Sequence, residues 1–216
     1  VPGFEQVNAK VVNVPVGPGR EVLAKRGAML AYSGDVTFRP VSGPRPGIGG
    51  MLGRALTSEN APMMVAEGQG VVTYGHAGLA VHVVSLDGVQ LLSAESDRLL
   101  CHDAGLQTAT VFLGQDGGIR GAVRGAVTGQ GLFTTQLSGV GQVALLAHGA
   151  VFELPVGGQP VVVDPQAYVG HLGPVNVEVK ASIGWREAVG RGSGEAIQLR
   201  LTGSGTVFVQ ASEGKF

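Results

Sequence analysis

Apolar residues along the chain fall at every second position or in runs of three to five, and nowhere hold helical spacing for three turns. Val81, Val83 and Leu86 belong to one aliphatic segment and Val161-Val162-Val163 to another. Both are of strand length and bounded by turn residues. Asp87-Gly88, Gly157-Gly158 and Asp116-Gly117-Gly118 sit beside such segments and predict hairpin turns. Pro15, Pro18, Pro155 and Pro160 suit strand ends or edges, where a missing N–H is tolerated. Residues 39–50, RPVSGPRPGIGG, predict a loop, and residues 50–58, around Met51, Leu52, Ala55 and Leu56, a short helical turn at most. The predicted class is all-β.

Two phrases recur. NAPMMVAEGQGVV (60–72), GLFTTQLSGVGQV (131–143) and EAIQLRLTGSGTV (195–207) each run from a short strand into Gly-x-Gly and then valine. The pairs are Gly68 and Gly70, Gly139 and Gly141, Gly203 and Gly205, and they predict structural turns or bulges where glycine permits φ > 0. REVLAKRGAMLAY (20–32), VQLLSAESDRLLCH (89–102) and QPVVVDPQAYVGH (159–171) form the second phrase, each leading from apolar residues to a polar position, Lys25, Glu95 or Asp164. The first phrase precedes the second in residues 60–130 and in 131–194. The third copy is then split, 195–216 plus 1–59, and the expectation is one compact unit, 1–216, whose last module both termini complete. Such closure protects sheet edges.

Composition narrows the function classes. Glycine is 37 of 216 residues, roughly 17% against a usual ~7%, without the strict period of collagen. One cysteine excludes a disulfide scaffold, and 44% hydrophobic residues exclude a disordered chain. A net charge of −1 points to neither nucleic acid nor a cationic partner. Charged residues are only 14%, where well-behaved surfaces carry about 25–35%, so apolar surface is expected to be hidden against another copy. No run of 18 apolar residues exists, and Val1-Pro2-Gly3-Phe4 lacks a signal-peptide pattern. Cys101, inside Leu99-Leu100-Cys101, reads as a buried inert thiol. A reducing, cytoplasmic compartment is the expectation.

REVLAKRGAMLAYSGDVTF (20–38), GLFTTQLSGVGQVALLAHG (131–149) and PVVVDPQAYVG (160–170) resemble the altered-inheritance-of-mitochondria-twenty-four family, over about residues 5–212. The resemblance implies a fold like the tryptophan RNA-binding attenuation protein, with repeated β-sandwich modules associating into rings or trimers, a trimer being favoured. It implies a bacterial rather than a mitochondrial member. It carries no catalytic residues, and a shared fold does not transfer the attenuation protein's ligand or RNA contacts.

Candidate chemistry is sparse. Gly139-Val140-Gly141-Gln142-Val143-Ala144 matches a dinucleotide fingerprint as a string, but strand-like residues follow where a helix N-terminus is needed. Walker and Gly-x-Ser-x-Gly motifs are absent. His76, His82, His102, His148 and His171 show no chelating spacing, so neither a metal nor a cofactor is expected. Glu95 and Asp164, nominal carboxylate partners, correspond to Lys25 and read as solvated turns or inter-module ion pairs. Asp35, Asp97 and Asp103 read as local turn formers. Arg54, Arg124 and Arg186 lie between phrases and are candidates for contacting RNA phosphates, although inter-module ion pairing fits them better. GIGGMLGRAL (47–56) reads as a loop at an oligomer interface, with a membrane surface as the alternative, and Trp185 as partly buried packing. The expected function is therefore a non-enzymatic oligomeric scaffold or interaction protein. The alternative is a small-ligand or RNA-binding module using pockets between modules or protomers; a hydrolase or metal enzyme comes third.

Overall fold

A computed structural model describes residues 3–41, 63–112, 133–181 and 197–214. Among these the regular elements are β-strands, with one 3-10 turn, Ser96–Arg98. The fold class is all-β, as expected. In chain order come β1 (Glu5–Asn8), β2 (Val11–Val16), β3 (Val22–Lys25), β4 (Met29–Pro40) and β5 (Met63–Tyr74). Next are β6 (Ala80–Asp87), β7 (Leu92–Glu95), β8 (Leu99–Asp103), β9 (Gln107–Phe112), β10 (Phe133–Ser138) and β11 (Val140–Ala147). The last are β12 (Val151–Val156), β13 (Val161–Val163), β14 (Tyr168–Leu172), β15 (Val175–Ala181), β16 (Ile197–Gly203) and β17 (Gly205–Gln210). Alternation explains the simplest of them: in β2, Val12, Val14 and Val16 are buried while Val11, Asn13 and Pro15 are half-buried.

Three sheets result. One runs β1-β2-β5-β3-β8-β11-β6 with β4 also on β5, the second β12-β17-β14-β7-β10-β9, and the third only β13-β16-β15. Each short strand of the second sequence phrase pairs antiparallel with the glycine-phrase strand that follows it. Val22 faces Ala66, Leu92 faces Leu137, and Val161 faces Leu201. Beyond the glycines the chain turns to other partners: the far half of β5 pairs with β2, β11 with β6, and β17 with β12.

Glycine makes that change of direction. Gly68, Gly139 and Gly203 have φ of 114°, 111° and 107°, a region L side chains rarely adopt. Gly70 and Gly205 lie so close to the carbonyl oxygens of Ser33 and Leu172 that a Cβ would collide with backbone. A second irregularity recurs on the strand alongside. Register shifts fall between Met29 and Ala31 in β4, opposite Leu145 where β11 meets β8, and between Tyr168 and Gly170 in β14.

Several expectations need correction. Among the described residues no strand of 195–216 pairs with one of 1–59: β17 is hydrogen-bonded to β12 and β14, so Val207 faces Leu154 and His171. Leu23 of β3 instead faces Val65 and His102. Two alternating phrases have an order that reads equally well from either starting point. Asp87-Gly88 and Gly157-Gly158 are turns but not hairpins, because β6 and β7, like β12 and β13, lie in different sheets. Arg39 and Pro40 extend β4 against Val65 and Met64 rather than opening a loop. Residues 42–62, with Arg54 and the segment 47–56, and likewise Asp116-Gly117-Gly118, Arg124, Trp185 and Arg186, lie outside the described residues.

The buried side chains form three clusters. The first, around Val12, Val14 and Val72, takes in Leu100, Cys101, Ala144 and Leu146 from β8 and β11. The second, around Leu92, Leu137 and Leu145, takes in Val169 and Phe208 from β14 and β17. The third, around Val163, Leu199 and Val207, contains only residues between Leu154 and Val209.

Candidate functional site

The second sheet joins β9-β10-β7 to β14-β17-β12 along a seam between β7 and β14. The first sheet has a matching seam between β3 and β8. In the β3–β8 seam Val22, Leu23 and Ala24 face Asp103, His102 and Cys101. In the β7–β14 seam Leu92, Ser93 and Ala94 face Leu172, His171 and Gly170. The Ala104 N–H donates to Glu21 O at 2.9 Å, and the Gly173 N–H to Leu91 O at 3.0 Å, so the two seams end alike.

Polar groups buried at these seams hold strands together. Arg20 Nε donates to Asp103 Oδ1 at 2.7 Å, with its guanidinium 5.5 Å from the centre of the Phe4 ring. The other Asp103 oxygen accepts the Gln142 N–H at 2.7 Å. Asp103 therefore binds residues distant in sequence, not the local turn expected of it. At the second seam Arg98 is fully buried, a position that is tolerable only with its charge and donors matched. Its Nε donates to Glu95 at 2.7 Å and its other nitrogens to Gln210 Oε1 at 2.6 Å and Gln166 O at 3.3 Å. Gln210 in turn donates to the carbonyls of Gln166, Ser212 and Gly214. This network tethers the 3-10 turn after β7 to the end of β17.

The expected chemical residues do not converge. Glu95 serves Arg98, Asp164 accepts the Gln166 N–H at 2.7 Å within its own turn, and the Lys25 ammonium donates to Asp97 O at 3.0 Å. Burial lowers the Lys25 pKa, against the opposing pull of Asp97. His102 and His171 occupy matching seam positions, with His102 Nδ1 2.8 Å from Asp103 O and His171 Nδ1 2.7 Å from the Tyr168 hydroxyl. Burial depresses the His171 pKa to about 4. His82 lies 3.7 Å from Glu153 and 5.2 Å, ring to ring, from Phe208; burial lowers its pKa and Glu153 partly restores it. His76 is lowered by burial and by Lys25. Among the described residues no group of three His, Cys, Asp or Glu could hold a metal ion. Cys101 is buried, which pushes its thiol above the ordinary range. Arg98, Gln210 and the Arg20–Asp103 pair were missed by sequence reading; the signal available was a lone arginine before Leu99-Leu100.

A third pair of edges matches the seam strands but is unpaired. β13 bonds β16 on one side, and among the described residues no strand lies on its other side. The same holds for the first half of β4, which bonds β5 alone. Met29, Leu30 and Tyr32 there are 42%, 58% and 52% exposed, and Val162 on β13 is 54% exposed.

The family model for mitochondrial biogenesis AIM24 matches residues 4–212. The chain belongs to the AIM24 family. The crystal structure of protein SPYM3_0169 from Streptococcus pyogenes has a similar fold, with a TM-score of 0.72 at 18% identity, over 97% of this chain and 92% of that one. No curated protein matches this AIM24-family chain. Among the described residues no helix is long and apolar enough to cross a membrane.

Proposed function

We propose that this AIM24-family protein is a non-enzymatic, self-associating β-scaffold. It is built from three copies of one β-sandwich unit in plain succession, residues 11–74, 80–147 and 151–210, like the units of the attenuation protein. The recurring pairings, bends and bulges support the repeat, and the altered unit boundaries follow from them. The observation that carries self-association is the exposed Met29, Leu30 and Tyr32 on a strand edge that has no partner strand among the described residues. Long apolar edges of this kind are normally covered. The sparse charge of the chain agrees with surface hidden against another copy. Neither cofactor nor nucleic acid enters this reading, and the buried unmodified thiol suits a reducing, cytoplasmic compartment.

Sedimentation velocity of the full chain tests the reading. The expected mass is a multiple of 21.9 kDa, three copies being the number that family resemblance implies. A single species of one copy at micromolar concentration contradicts it.

A further inference from the structure

We propose that β13 of one chain pairs antiparallel with the first half of β4 of a second copy, head to tail. This rests on the self-associating reading above and assigns its interface. The chain supplies its own template twice. Each seam joins three strands of one unit, such as β9-β10-β7, to three of the next, β14-β17-β12. The three-stranded sheet β15-β16-β13 is the first half of such an assembly with no strand across from it among the described residues. The matching second half, β4-β5-β2, stands at the other end of the chain.

Register makes the match specific. Through its pairing with the glycine-phrase strand, Val162 occupies the place of Leu23 and Ser93, since they face Arg200, Val65 and Gln136 in turn. Tyr32 occupies the place of His102 and His171, which face Val143 and Val207 as Tyr32 faces Val72. Leu23 faces His102, and Ser93 faces His171. Tyr32 of one copy therefore faces Val162 of the next, with Ser33 opposite Val161 and Ala31 opposite Val163.

The cores tell the same story. Leu30 sits at the bulge between Met29 and Ala31, as Val169 does between Tyr168 and Gly170, and as Leu100 does between Leu99 and Cys101. Leu100 and Val169 are fully buried in the cluster of the preceding unit. Leu30 is mostly exposed, and the third cluster, which is the one it would enter, draws on no later unit. Because the two edges differ, the contact is heterologous and propagates until a ring closes.

Cysteine pairing tests this in the full chain. Antiparallel neighbours have Cα atoms about 4.5–5.5 Å apart, within reach of a disulfide, and the native Cys101 is buried. Tyr32→Cys with Val162→Cys in one chain should oxidise to a ladder of covalent oligomers or a closed covalent ring. Mixing the two single variants should give heterodimers that contain one of each. As a second arm, Val162→Lys should reduce the sedimenting mass to one copy while the circular dichroism spectrum stays unchanged. An intrachain disulfide without a rise in mass overturns the proposal, because the seam then closes within one molecule. A wild-type oligomer that neither cross-links nor responds to Val162→Lys overturns the proposal and leaves the self-associating reading standing. A monomeric wild-type chain overturns both.

Discussion

Burial at the seam disfavours the charged form of His171, whose Nδ1 lies 2.7 Å from the Tyr168 hydroxyl. Burial takes its pKa from the ordinary 6.5 to about 4. Protonation is thus easier in the unfolded chain, so the stability it contributes is complete above about pH 6.5 and is lost as the pH falls towards 4. A shift of this size corresponds to about 3 kcal/mol. Urea unfolding at pH 7.5 and pH 4.5 should therefore show a loss in the wild type that is smaller by about 2–3 kcal/mol in His171→Gln. Equal losses in the two proteins would falsify this assignment of the titration. Arg98 illustrates the complementary case. Its charge is kept in the interior by Glu95, Gln210 and Gln166, residues scattered from position 95 to 210. Glu95 is three residues away, but Gln166, in the turn before β14, and Gln210, at the end of β17, are brought by the fold, so no local pattern around Arg98 could have announced that set.

At the scale of elements, the bends at Gly68, Gly139 and Gly203 share a backbone angle but not their surroundings. A Cβ on Gly68 would strike Asp35 O, and one on Gly203 would strike Pro174 O, whereas one on Gly139 would meet only Leu106 at 3.5 Å. Gly139→Ala should cost about 1–2 kcal/mol, from φ alone. Gly68→Ala and Gly203→Ala should each cost about 1–3 kcal/mol more, from crowding. Chemical denaturation of the three variants checks the order, and equal losses contradict it. These glycines were legible in the sequence because their requirement is local, and so were the strand segments and the all-β class. The partners of the strands were not. Asp87-Gly88 supplies a turn, yet whether the flanking strands pair depends on β11 and β10, which take β6 and β7 into separate sheets. How the phrases group was hidden for the same reason. The phrases themselves are in the residues, whereas the hydrogen bonds that group them are non-local.

For the whole molecule, the described strands give two closed seams, β3–β8 and β7–β14, and one pair of matching edges, β13 and the first half of β4, that no described strand covers. The first two clusters each take in residues from across a seam, and the third holds only residues between Leu154 and Val209. Leu30 is 58% exposed, so covering it as Leu100 and Val169 are covered would gain about 1–2 kcal/mol. On the proposed pairing, the sparse charge that suggested association from composition goes with two strand edges, β13 and the first half of β4.

Hydrogen exchange at the Tyr32 amide examines this most directly. The Ala104-to-Glu21 and Gly173-to-Leu91 bonds fix the alternation along the closed seams, and this points the His102 and His171 amides across them. Tyr32 holds the same place on the open edge. Protection of its amide approaching that of His102, in the assembled protein, is the predicted result. Free exchange at Tyr32 while His102 stays protected would contradict the account.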